Sequence, residues 1–118
     1  MATQYHHIDP RSLLDAIGND RATFAHLIGM FQRSTPHSRD ALLAAIASDE
    51  RDAARRLAHE MRGNVVIFGA ATLAAELARL EQALDDGPAP VSQMTRCNVL
   101  IDAVLAEMQA ALDENGAS

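Results

Sequence analysis

A chain of 118 residues with 48% apolar residues is long enough for one buried core and too hydrophobic for disorder. Only 3% of it is aromatic, with no tryptophan, while alanine and leucine are plentiful, so helices are favoured over a β-sandwich. A formal charge of −6 and the lack of any basic tract argue against nucleic acid, whose binding depends on neutralising phosphates with Lys and Arg.

The elements follow in order. "DPRSLLDAIG" reads as a short entry helix, with Asp9 as cap, Pro10 in the first turn and Gly18 at the end. From Arg21 the next run places Phe24, Leu27, Ile28 and Phe31 on one face, and Pro36 predicts a kink or break near Ser34 to His37. The pattern resumes with Leu42, Leu43 and Ile46 and stops at "ASDE". Ser48 or Asp49 is the expected cap of the following helix, which runs to about Phe68 and ends at Gly69. Leu73, Leu77, Leu80 and Leu84 stripe the next, which closes at "DDGPAP". The last begins near Ser92 and turns Cys97, Leu100, Ile101, Val104, Met108 and Leu112 inward, and "DENGAS" reads as a frayed end. The expected architecture is all-α: an antiparallel four-helix bundle with a short additional N-terminal helix. It forms one domain over residues 1–118, with its core at about 8–113 and flexible termini. The single Cys97 allows no internal disulfide and no cysteine-based metal cluster, which suits a reducing compartment. Every apolar run is interrupted within a few residues, so neither a signal peptide nor a membrane span is expected.

One helix carries the chemistry. At about 100° per residue, Leu57, Met61, Asn64 and Phe68, with Ala54, Ala58 and Val65, form its core stripe. Arg55, His59, Arg62, Gly63 and Val66 fall opposite. His59 should therefore face solvent between two guanidinium groups, which suits a negatively charged group on or near its ring. Glycine destabilises a helix interior by roughly 1 kcal/mol relative to alanine, so Gly63 is read as clearance for a close-approaching partner. Val66 adds an exposed apolar contact. Such a face alone does not name a function, because exposed helical histidines are usually plain surface. His6, His7, His26 and His37 are read that way. No HExxH or Glu-x-x-His pairing is present, so no metal site is expected.

The order of residues adds more. "LAHEMRGNVVIFGAATL", continuing to "LARLE", resembles the signature of histidine-containing phosphotransfer (HPt) domains. That signature has a histidine, an apolar residue, a lysine, a glycine, small residues, then Gly-Ala and a leucine. Upstream, "LIGMF…LLAAIASDERDAARRLAHE" looks like the family's preceding helices, so the resemblance extends from about Ile8 to the last helix. It implies a four-helix bundle with His59 as phospho-acceptor, and Arg55, Arg62, Gly63 and Val66 on the face that meets the phosphoryl group and a receiver domain. The phosphoryl group would arrive from a receiver aspartyl phosphate and leave to another receiver aspartate. The implied partners are receiver domains of a hybrid sensor kinase and of a downstream regulator. Mg²⁺ is expected on the receiver and no cofactor on this domain, a relay protein without independent catalytic activity. A monomer is expected, in the cytoplasm or as the cytoplasmic domain of a membrane-bound hybrid kinase.

Three positions depart from the pattern. Arg62 stands at the lysine position and is bulkier and planar. Asn64 replaces a serine and, on the core stripe, would need partners for its amide. Glu81 matches a position where some members carry a glutamine bonded to the acceptor imidazole. A carboxylate there would orient the ring through its other nitrogen, or would simply be a surface charge. Arg62 and Asn64 also motivate an alternative: a module that docks a receiver or kinase without relaying phosphate.

Overall fold

The computed structural model describes residues 4–115. It contains five helices, α1 (Pro10–Ala16), α2 (Arg21–Ala47), α3 (Arg51–Ile67), α4 (Ala71–Asp86) and α5 (Val91–Asn115), and no strand among the described residues. Helices α2 to α5 form a ring of four in which α3 lies between α2 and α4, while α5 closes against α4 and α2. Connections of three or four residues make successive helices antiparallel. The bundle measures 45 × 22 × 20 Å. No helix among the described residues is long and apolar enough to cross a membrane.

The stripes pack as one core. Phe24, Ile28 and Leu42 of α2, Ala58 and Val65 of α3, Leu77 and Leu80 of α4, and Cys97, Ile101 and Met108 of α5 are all buried. The expected entry cap is present, since the Asp9 side chain accepts from the Ser12 amide and Pro10 opens α1. At the other end of the connection to α2, the Asp20 carboxylate accepts from the Thr23 amide and hydroxyl.

Four expectations need correction. Pro36 does not break α2, which continues through it to Ala47. A mid-helix proline removes one N–H, here the donor to the Gln32 carbonyl, and typically destabilises by about 3 kcal/mol. Phe31 and Thr35 before it and Leu42 after it are buried on one core, so tertiary packing holds both halves in line. Neither Ser48 nor Asp49 caps α3 through its side chain; the cap position is Glu50, without a side-chain bond. With three residues to reverse direction, Ser48 closes α2 on the Ala44 carbonyl and Asp49 takes the left-handed φ of 55°.

Residues 5–8 are also tied down, although the N-terminal segment reads as loose. The amides of His6, His7 and Ile8 all donate to the Glu107 carboxylate, and Tyr5 donates to Glu114. At the other end α5 extends to Asn115, beyond the start of the "DENGAS" segment. Residues 1–3 and 116–118 of the expected flexible ends lie outside the described residues.

Gly69 links α1 to the bundle. It has a φ of 71°, and a Cβ there would lie 2.6 Å from the Asp9 Cβ, because the Asp9 amide donates to the Phe68 carbonyl at 2.8 Å. The end of the histidine helix is thereby fixed against the N-terminal segment.

Candidate functional site

Three side chains meet where α3 passes α4. Helix α3 has a narrow apolar face, centred on Ala54, Ala58, Met61 and Val65, and these four are buried. His59 lies well round the helix from that centre, and its side chain is 66% exposed. Its Nδ1 is 2.9 Å from Glu81 Oε1 on α4. The Arg62 Nε donates to the other oxygen of the same carboxylate at 2.6 Å, and Arg62 Nη2 lies 3.0 Å from His59 Nδ1. The Glu81 side chain is only 16% exposed and so presents a fixed carboxylate to both neighbours.

Glu81 is ionised. Partial burial pushes its carboxyl up, but hydrogen bonds from Arg62 and His59, then their charges, outweigh it and hold the group below its ordinary value. Nδ1 can serve only one of its two neighbours at a time. Protonated, it donates to Glu81, a charge-assisted bond; deprotonated, it accepts from Arg62. Since the Glu81 carboxylate is the more buried of the two partners and Arg62 keeps its bond to Glu81 through Nε, the first arrangement requires the smaller adjustment. It leaves Nε2, on the opposite edge of the ring from Glu81, with a free lone pair.

The structure places the other expected residues as follows. Arg55 is exposed on α3 and donates to Asp85 at 3.0 Å, with Asp52 at 4.0 Å. Gly63 is exposed, and a Cβ there would meet nothing within 4 Å. Val66 is 57% exposed one turn further on. The glycine therefore answers no packing need inside the bundle.

Two expectations change. Arg55 and Arg62 are not free cations flanking the imidazole, because α4 supplies a carboxylate to each. Asn64 is exposed rather than part of the core. The core face of α3 is centred nearer Ala58 and Val65, which puts Asn64 roughly 110° round the helix from it at about 100° per residue. Its amide therefore needs no buried partner.

Sequence reasoning missed Asp85, Arg56 and Ile67. Asp85 follows Glu81 by one helical turn, the spacing that sets two carboxylates on one face, and this signal was available. Arg56 and His59 line the same open groove, together with Arg62, Glu81 and Asp85. Ile67 is 56% exposed beside Val66 and extends the apolar edge of the face. Among the described residues, no three His, Cys, Asp or Glu side chains are grouped to hold a metal ion.

An exposed imidazole held through one nitrogen, on a surface open to a large partner, is suited to nucleophilic group transfer between proteins. Comparison with curated proteins and with solved structures returned no match. The sequence model of one family, the Hpt domain, matches residues 26–115, which include most of α2 and all of α3, α4 and α5. With the bundle as described and more than half of the chain matched, this protein belongs to the Hpt domain family, whose members carry phosphoryl groups on histidine in two-component phosphorelays and interact with receiver domains.

Proposed function

We propose that His59 is the phospho-acceptor of a relay, loaded by the aspartyl phosphate of one receiver domain and emptied onto the aspartate of another. The observation that carries this reading is the pairing of an exposed imidazole with the largely buried Glu81 carboxylate through Nδ1 alone. With its proton on Nδ1, the neutral ring attacks through Nε2. The N–P bond forms as the P–O bond to the receiver carboxylate breaks, and the carboxylate leaves with the electron pair. The ring, now carrying the phosphoryl group and still protonated on Nδ1, is positively charged, and Glu81 faces that charge at 2.9 Å. Transfer to the second receiver reverses these steps. Little covalent work remains for the protein beyond positioning and charge stabilisation.

In this reading Gly63, Val66 and Arg55 belong to the docking face, and Arg62 holds Glu81 in place. The magnesium ion belongs to the receiver, and the chain needs no cofactor and has no independent catalytic activity. It works as a single Hpt unit and a monomer in the cytoplasm, or on the cytoplasmic side of a hybrid kinase, between that kinase's receiver and a downstream regulator.

The test is incubation with a phosphorylated receiver. Wild type should acquire an acid-labile phosphoryl group, and His59→Gln should acquire none; robust labelling of that variant at another residue would sink the assignment. The docking-only alternative is favoured by one observation, the commitment of Arg62 to Glu81. It requires receiver binding and signalling output to survive His59→Ala unchanged.

A further inference from the structure

Three arginines line the groove beside His59, and two of them are already committed. Arg62 is paired with Glu81 and Arg55 with Asp85. Just outside the groove, Arg51 donates to the Leu84 and Asp85 carbonyls. Arg56 is exposed and takes part in no hydrogen bond or ion pair among the described residues. Its charge is the uncompensated one.

Its position on α3 matters as much as its charge. At about 100° per residue, Arg55 and Arg62 fall on the flank of His59 that faces α4, and Arg56 falls on the other flank with Gly63. Arg56 precedes His59 by three residues, which makes the two surface neighbours, with Cβ atoms about 5–6 Å apart. Because Nδ1 is bonded to Glu81, Nε2 lies on the opposite edge of the ring, and Arg56 lines the same groove as the imidazole.

We propose that Arg56 is the cation that binds the phosphoryl group on His59, a role that Arg62, standing at the lysine position of the family signature, does not fill. The inference rests on the reading of His59 as phospho-acceptor. A phosphoryl group brings up to two negative charges to Nε2. The Arg62 charge is cancelled by Glu81 and adds little net attraction, whereas Arg56 can offer its planar fork to two phosphoryl oxygens. Asp52 and Glu60 lie one turn before and one turn after Arg56, but both are exposed and neither is bonded to it among the described residues, so solvent screens their opposition to the binding.

The test separates the two claims by using two phosphoryl donors on the full chain. Phosphoramidate transfers its phosphoryl group to an imidazole nitrogen and releases ammonia, so it loads His59 without any receiver. The second ionisation of the phosphohistidine is then followed by its phosphorus resonance. A unit cation about 4 Å away in water holds that ionisation down by about 0.7 pH unit. Arg56→Gln should raise the midpoint by about that amount, and Arg56→Lys should restore most of the difference. If Arg56→Gln titrates with wild type, the proposal is overturned while the relay reading stands. If phosphoramidate loads His59 but a phosphorylated receiver does not, the relay reading fails and the titration still judges Arg56. A His59 that takes no phosphoryl group from either donor overturns both.

Discussion

Helix α4 carries two largely buried carboxylates, Glu76 and Glu81, and they organise their surroundings differently. The Glu76 side chain is 11% exposed and paired with Arg79 on its own helix and, at 3.5 Å, with Arg96 on α5. Its Oε2 makes no hydrogen bond, and its charge lies near the buried Cys97. Glu81, five residues later, turns to α3 and bonds an arginine and a histidine, one through each oxygen. Arginine is always protonated, so the Glu76 cluster only balances charge. An imidazole has a second nitrogen with a lone pair, so the Glu81 cluster holds a nucleophile in place. Burial of an acid does not by itself make a site; the chemistry of its partner does.

The strongest way to break this contrast is to remove each acid in turn. Glu81→Ala should slow phosphoryl transfer from a receiver to His59 roughly tenfold to a hundredfold, the cost usual for losing a carboxylate that orients a metal-bound histidine. Glu76→Ala should leave the transfer rate unchanged. Equal losses in single-turnover assays would show that α4 acts only as a scaffold.

Stability gives the next effect. Glu81→Gln should destabilise the bundle by about 1–2 kcal/mol in urea unfolding near pH 6, because the carboxylate charge is lost and the amide offers one acceptor oxygen where the carboxylate offered two. The folded-state carboxyl lies below its ordinary value of 4.5, so its stabilising contribution is complete above that pH. It is lost as pH falls through the folded pKa, and the difference between wild type and Glu81→Gln should shrink with it. A difference that stayed constant into acid would remove the ion pair from the explanation.

Access distinguishes the clusters too. Gly63→Gln adds a side chain where a Cβ meets nothing, so the helix should gain up to about 1 kcal/mol in unfolding stability. Receiver-dependent transfer should nevertheless fall. Normal transfer with every receiver tried would refute the role of Gly63 as clearance.

The smallest effect is expected at Cys97. Burial first, then the Glu76 charge, pushes its thiol up to about 11, so it should react slowly with an aromatic disulfide reagent at pH 8 until the protein unfolds. Glu76→Gln removes only the lesser cause and should leave the native thiol protected. Fast reaction of that variant would make the electrostatic contribution the dominant one.

The buried stripes of α4 and α5 were readable because a core-facing helix repeats its apolar residues at 3.6-residue spacing wherever it packs. The exposure of His59, Gly63 and Val66 followed from the same rule. Asn64 was misread for a related reason: it lies near the boundary of the core stripe, and periodicity alone does not centre a helix face on its neighbours. Pro36 was misread because local backbone chemistry argues for a break, while the continuity of α2 rests on Phe31, Thr35 and Leu42 packing into a shared core.

By itself, the amino-acid order determined a helical bundle, placed a histidine on an exposed face and carried the likeness to a phosphotransfer family. Tertiary structure decided what that histidine meets. Glu81 lies 22 residues further along the chain than His59, and only the antiparallel crossing of α3 and α4 brings its oxygen to 2.9 Å. The same crossing neutralises Arg55 and Arg62 and leaves Arg56 unpaired, because charge pairing between helices depends on their relative rotation, which one helix's sequence does not encode.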